Sequence, residues 1–224
     1  MDKNVADFVF PILSVNIGSV QSGTYKGKET ESGIGKSSVD RVLALSKLGL
    51  SGDEQADMVN HGGVDKALCV YDHGHYSYWE TVLKRTMPFG SFGENFTVSR
   101  LQEAVVHIGD VFEVGSAVVQ VSQPRQPCWK LAMRWGLDEF PLLVTQRGAT
   151  GFYFRVLEEG EVWKGDTLKL KQTHPAGITV AEANRVMHKD KNDLEGIRRL
   201  LDLKELSASW TKTFNARLER LQGK

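Results

Sequence analysis

Along the first 170 residues the apolar positions come in short runs, rich in Val, Phe and Thr and broken by glycines. The clearest is Val105-Val-His-Ile-Gly-Asp-Val-Phe-Glu-Val-Gly-Ser-Ala-Val-Val-Gln-Val-Ser. Its alternation of period two, interrupted at Gly109-Asp110 and Gly115-Ser116, predicts a meander of short strands. A Gly-Asp turn feeds another β-rich segment in Val162-Trp-Lys-Gly-Asp-Thr-Leu-Lys-Leu. Phe8 to Ile17 reads as a strand whose Pro11 belongs at an edge or a bulge. Val39 to Leu45 reads as another, closed by the turn signal Leu48-Gly-Leu-Ser-Gly-Asp. Gln21 to Ser38 is polar, rich in Gly and Lys and without period, and is expected to be a long loop. Helical interludes are expected at Asp72–Leu83 and around Pro141–Arg147. The pattern favours a closed or nearly closed antiparallel sheet.

After Pro175-Ala-Gly the period changes. Thr179-Val-Ala-Glu182 is a capping-box pattern, with Thr179 capping the helix and Glu182 reaching back. Asp193 is placed to cap a second helix with an apolar face of Ile197, Leu200, Leu201 and Leu203. A third carries Trp210, Phe214, Leu218 and Leu221 at helical spacing. The expectation is a mainly β fold with some α: a β-barrel-like domain over 1–175 and a small three-helix domain over 176–224. These helices pack on each other or on the barrel.

Composition narrows the class without naming a chemistry. The 224 residues suit one sizeable domain or one with a small appendage, able to bury about 70–75% of its unfolded surface. With 28 basic and 28 acidic side chains the formal charge is zero, which argues against a protein built to hold nucleic acid or an acidic membrane. Two cysteines are too few for a disulfide scaffold or a four-cysteine zinc site. The heptapeptide Met1–Asp7 lacks a secretory n-region, and no 18 apolar residues run together. A cytoplasm with reduced thiols is the expected compartment.

Candidate chemistry gathers in a few places. Cys128 follows Gln123-Pro-Arg-Gln-Pro, where two prolines stiffen the chain beyond a strand end and deliver a thiol among the cations Arg125 and Lys130. The same residue could instead be a small buried hydrophobe. Cys69, in Ala67-Leu-Cys-Val-Tyr, reads as core packing. In His61-Gly-Gly-Val-Asp-Lys-Ala-Leu, Gly62 and Gly63 would let backbone N–H groups approach an anion beside His61, Asp65 and Lys66. A plain polar turn would carry the same residues. Asn95 in Phe92-Gly-Glu-Asn-Phe either binds a heterocycle edge or caps a turn. Arg147 and Arg155 either pair an anion or lie on the surface. Cys69, His73 and His75 share metal-like spacing but want a fourth ligand. Asp53-Glu54 and Glu158-Glu159 read as solvated carboxylates rather than acid/base pairs. There is no Walker loop, no G-x-G-x-x-G after a strand and no G-x-S-x-G elbow.

Taken together, His61-Gly-Gly-Val-Asp-Lys-Ala-Leu, Gly93-Glu-Asn and Gln123-Pro-Arg-Gln-Pro-Cys-Trp-Lys-Leu resemble the MOSC domain family (molybdenum cofactor sulfurase C-terminal domain), closest to its stand-alone, YiiM-like bacterial members. The resemblance covers nearly the whole chain, including the helical trio. It implies a barrel-like fold and a molybdenum cofactor (molybdopterin), with Cys128 as the metal's sulfur ligand. It further implies reduction of small N-hydroxylated compounds, such as hydroxylamino purines, with electrons from a separate flavin-dependent reductase. Lys66, His61 and Arg125 are assigned to the cofactor's anionic end, with Gly62 and Gly63 as backbone donors. Asp65 and Asn95 are assigned to its pterin edge. Val64 departs from the family pattern, in which Pro often follows the two glycines. A homodimer is left open. Competing readings are a sulfur-carrier module without turnover, a cysteine-nucleophile enzyme with His61 or His107 as base, and a non-catalytic protein whose C-terminal helices bind a partner.

Overall fold

The computed structural model describes residues 8–57 and 61–223. The heptapeptide Met1–Asp7, and Met58–Asn60 within the segment that leads to Gly62-Gly63, lie outside the described residues. The first strand, β1 (Val9–Ile17), points Phe10 and Ile12 inward. It pairs through Val9–Pro11 and then shifts register between Ile12 and Ser14. Pro11, which has no N–H to give, sits just before that irregularity, as its backbone requires.

The segment expected to be a long loop is instead a hairpin, β2 (Gln21–Tyr25) and β3 (Lys28–Ser32), followed by the short β4 (Ser37–Ser38) on β1. Lys26 (φ 51°) and Gly27 (φ 76°) form its two-residue turn, with the positive φ pair that matches strand twist. The hairpin is exposed on both faces over most of its length, so no alternation marks it in the sequence. Next come β5 (Leu43–Ser46), shorter than the expected Val39–Leu45 strand, and β6 (Gly49–Leu50).

A 3₁₀ turn, Val64–Lys66, leads into β7 (Leu68–Asp72), then α1 (Tyr76–Leu83) and β8 (Phe96–Val98). The expected meander resolves into β9 (Val111–Val114) and β10 (Ala117–Pro124) around Gly115. Val105–Ile108 is irregular and touches the C-terminal segment through the single bridge His107–Thr179. Two short helices follow, α2 (Trp129–Trp135) and α3 (Phe140–Arg147), then β11 (Phe152–Glu158), β12 (Gly160–Val162) and β13 (Thr167–Gln172). Seven strands close a barrel in the order β13-β9-β10-β11-β7-β8-β1, with β1 returning to β13. Only β7–β8 is parallel, the connection running through α1. A small sheet β12-β5-β6 lies beside it.

The C-terminal segment holds α4 (Val180–Asn184), which runs on as a π turn Arg185–Lys189, then α5 (Leu194–Leu201) and α6 (Ala208–Gln222). Thr179 caps α4 through the Glu182 N–H, but the Glu182 carboxylate turns to Arg185 at 2.7 Å instead of reaching back. A charge-assisted pair outcompetes the neutral half of the box. Asp193 caps α5 by accepting from Gly196 N–H at 2.8 Å. Ile197, Leu200, Trp210 and Phe214 are buried in the same cluster as Phe10, Phe112 and Phe154 of the barrel, so the helices pack on the barrel and share its core. A second cluster, centred on the stacked rings of Tyr71 and Phe92 (3.8 Å), fills the space against α1 and α3.

Because that core is continuous, Phe214→Ala should cost about 3–5 kcal/mol. Urea denaturation should show it as a lower midpoint of one cooperative transition. A separately melting helical trio would contradict the shared core.

Candidate functional site

At one end of the barrel lies a cavity of about 540 Å³, counting its open mouth. Two arms of chain and a polar floor build it. The first arm is the end of β10. Pro124 closes the strand, Arg125 N–H donates to Gly151 O at 3.0 Å, and Pro127 delivers Cys128 in extended geometry (φ −130°, ψ 172°) ahead of α2. The Cys128 carbonyl accepts from Leu131 N–H, while its half-buried thiol caps nothing and lines the cavity. Arg125 is 5% exposed. One of its terminal nitrogens, Nη2, donates to Phe92 O at 2.8 Å, but Nη1 is buried with no hydrogen-bond partner among the described residues. A buried guanidinium N–H without an acceptor is costly unless an anion meets it.

The second arm is His61–Lys66. Gly63 (φ 89°, ψ 170°) turns the chain into the 3₁₀ turn, a conformation that favours glycine. His61 Nε2 lies 3.2 Å from Cys128 Sγ, and its Nδ1 lies 3.4 Å from Asp57 Oδ2. Burial, then the Lys130 ammonium, pushes the His61 pKa below its ordinary 6.5, with Asp57 opposing in part. The imidazole is therefore neutral near pH 7. Burial also lowers the Lys66 pKa from the usual lysine range. Lys66, Lys130 and Arg125 all line the cavity, with Glu54 the carboxylate at its wall, so the interior is basic.

The floor is a network around Asp53, whose side chain is 1% exposed and paired with the equally buried Lys36. This corrects the expectation of a solvated carboxylate pair: Gly18 N–H at 2.9 Å, Gln55 Nε2 at 3.1 Å and Asn95 Nδ2 at 2.8 Å add to the ammonium and offset the desolvation. Glu54, its neighbour, stays exposed and accepts from Val20 N–H. Asn95 lines the cavity, but both N–H bonds of its amide are engaged, by Asp53 and by Asn16 O, and its oxygen accepts from Cys69 N–H at 3.0 Å. It braces the wall rather than offering donors to a heterocycle. Glu94 beside it is fully buried and accepts from Gly90 N–H, Phe92 N–H, the Thr97 hydroxyl and the Tyr76 hydroxyl, fixing the turn that carries Phe92 O.

The structure thus brings Cys128, His61, Lys66, Arg125 and Asn95 together. Asp65 goes elsewhere, into an ion pair with Arg155 at 2.8 Å, and Gly62 and Gly63 are not among the residues lining the cavity. His107 is bonded to Asp110. Arg147 stacks over Tyr78, 3.5 Å from the ring centre. Cys69 is buried as expected, yet it lines the same cavity, where burial raises its thiol pKa to about 11. His75 turns to Glu103 at 2.8 Å and His73 to Tyr76 and Phe89, so the metal-like spacing gathers no site. Among the described residues, no group of three or more His, Cys, Asp or Glu could hold a metal ion. Among the described residues no helix is long and apolar enough to cross a membrane. Lys36 and Tyr153 also line the cavity and carry no sign of it in the sequence, since Lys36 is set there by Asp53, 17 positions away, and Tyr153 by the pairing of β11 with β7.

Comparison with known proteins agrees with this architecture. A MOSC domain model matches residues 57–169 and a YiiM-like, 3-alpha helix domain model matches residues 178–221. The chain is 49% identical to the uncharacterized protein YflK of Bacillus subtilis, over 95% of this chain and 96% of that one. The crystal structure of YiiM from Geobacillus stearothermophilus superposes with a TM-score of 0.80 at 36% identity, covering 93% of this chain and 99% of that one. A protein named reductase in Gibberella moniliformis is 32% identical over 79% of this chain, which spans 32% of that longer protein.

The depressed His61 pKa has a signed consequence. The unfolded chain takes up this proton near pH 6.5 and the folded chain only at lower pH, so stability falls as pH drops through about 6.5 and levels off below the folded value. His188, lowered by its own burial, acts in the same direction. His61→Gln should therefore flatten the loss between pH 7 and 5 without abolishing it, about 7 and 5 being the span of an ordinary histidine titration. Urea midpoints across that range check this; an unchanged slope would rule out the burial argument.

Proposed function

The chain belongs to the MOSC domain family and carries its YiiM-like helical extension, and on that footing we propose that it is an oxidoreductase that reduces small N-hydroxylated compounds to amines with a molybdenum cofactor (molybdopterin) held in the cavity. The observation that carries the reading is the pairing, in one basic cavity, of the Cys128 thiol with the buried, unpartnered Nη1 of Arg125. A group that brings most of its own metal donors needs one soft protein ligand and a cationic seat for its anionic end, and these residues fit both demands. Cys128 would hold the metal through sulfur. Arg125, Lys66 and Lys130 would hold the phosphate. When bound, the cofactor supplies the two electrons that, with two protons, turn R–NH–OH into R–NH₂ and water.

The remaining work belongs to the chain. His61, neutral near pH 7 and with Nε2 3.2 Å from the thiol, would take up the Cys128 proton where the thiol serves as a ligand, and would be placed to return a proton to a bound substrate. Asp57 Oδ2 lies 3.4 Å from Nδ1, which makes no hydrogen bond among the described residues, so Asp57 would act on the ring through its charge. The floor of Asn95, Asp53 and Lys36 keeps the wall rigid without offering a competing thiol base. Electrons are expected from a separate flavin-dependent reductase, two cysteines being too few for a four-cysteine iron–sulfur cluster. The relative named reductase supports the reaction class.

A second reading, a cysteine nucleophile with His61 as base, rests on the row Cys128–His61–Asp57, with contacts of 3.2 and 3.4 Å. A sulfur carrier would need the thiol alone.

Elemental mass spectrometry on protein from a cofactor-competent host separates these. Near-stoichiometric molybdenum is expected in the wild-type protein and none in Cys128→Ala, with Arg125→Gln lowering occupancy about tenfold, the scale of one lost charge-assisted contact. Loaded protein should then reduce hydroxylamino purines when given a flavin reductase. A Cys128→Ser protein keeping both metal and activity would overturn the ligand assignment. An empty wild-type protein beside a loaded control molybdoenzyme would leave the thiol readings.

A further inference from the structure

Asp65 was assigned to a ligand from sequence, but its carboxylate points to another task. Its Oδ1 accepts from Arg155 Nε at 3.1 Å and Nη2 at 2.8 Å, and its Oδ2 accepts from the Ala208 N–H at 3.0 Å, in the first turn of α6. Its carbonyl accepts from Ser122 Oγ at 2.5 Å, on β10. The same turn of α6 reaches the other arm. Ser207 N–H donates to Ser122 O at 3.0 Å, and Ser209 Oγ donates to Gln123 Oε1 at 3.1 Å. Asp65 precedes Lys66, and Gln123 lies two residues before Arg125. One helical turn is therefore bonded to both arms of the cavity, each within two residues of a cation that lines it.

We propose that the first turn of α6 is the buttress that keeps the two arms in register, and that Asp65 is a positioning residue, setting Lys66 and, through the Gly63 turn, the contact of His61 with Cys128. The helical extension then has a function at the site although the cavity's lining residues all lie before residue 154. This rests on the reading of the cavity as the working site. The carboxylate serves two donors on opposite sides, one a guanidinium. Asparagine keeps its volume but loses the charge and turns an N–H₂ toward one of the donors.

The test uses the full-length chain free of cofactor, so its outcome stands apart from the molybdenum measurement. Iodoacetamide alkylation of Cys128, mapped by peptide mass against buried Cys69, is followed at a single fixed pH. In parallel, hydrogen exchange is read at the Lys66 N–H, which donates to Gly63 O at 2.9 Å. In Asp65→Asn both should quicken about fivefold. Asp193→Ala, which removes the cap of α5, should lower the melting temperature but leave both rates within about twofold. Ser209→Ala, which keeps the Asp65 contacts, should quicken Cys128 alone and serves if Asp65→Asn does not fold. If Asp65→Asn behaves like Asp193→Ala, or Ser209→Ala leaves Cys128 unchanged where Asp65→Asn is unfolded, the buttress is refuted.

Discussion

The cavity depends on a carboxylate that water does not reach. The Lys36 ammonium and N–H groups of Gly18, Gln55 and Asn95 converge on the Asp53 side chain, which is 1% exposed. Such an arrangement adds little net stability, since desolvation cancels most of the attraction, but removing one partner leaves an uncompensated buried charge. It therefore acts as a geometric lock. Through Asn95 the lock extends to the backbones of β1 and β7, and it holds the wall against which Cys69, Phe92 and Arg125 are placed. Lys66, Lys130 and Arg125 also line the cavity, which makes its lining basic.

Above this floor the site is a meeting of two arms at one end of the barrel. The proline-stiffened end of β10 carries Arg125 and Cys128, and the segment His61–Lys66 carries the imidazole and an ammonium. Neither arm is chemically complete. The thiol finds its imidazole across 67 positions of sequence, and the guanidinium is held by a carbonyl from a turn that Glu94 fixes. Helix α6 spans both arms from outside, and the barrel and the helical segment share one core. In a close-packed interior of this kind a shift at the helix is transmitted to the arms rather than absorbed.

Much of the fold is legible in the chain order. Period-two runs mark β9, β10 and β13, helical spacing marks α5 and α6, and α1 and α3 fall within the expected helical interludes. The exceptions have a common cause. The hairpin β2–β3 is exposed on both faces, so no buried side imposes alternation on it, and its turn Lys26-Gly27 lacks the usual Asn or Asp. The seven-residue α2 and the three-residue β8 are too short to establish a period, and they form because their neighbours cover them. At Glu182 a local capping rule yields to Arg185, one turn on.

By itself the sequence determined which elements form and which residue types could do chemistry: the thiol after two prolines, the histidine before two glycines, and the cations close to each. These are local matters, set by φ restrictions, periodicity and side-chain chemistry over a few residues. Only the tertiary structure decided which candidates meet. It set His61 against Cys128, committed Asn95 to the wall, sent Asp65 out to Arg155 and α6, and buried Asp53 with Lys36. Each of these joins residues at least 17 positions apart. The closing of the barrel selects among the partners that spacing alone leaves equivalent, because a buried charge or hydrogen-bonding group must be satisfied by whatever the fold brings within reach.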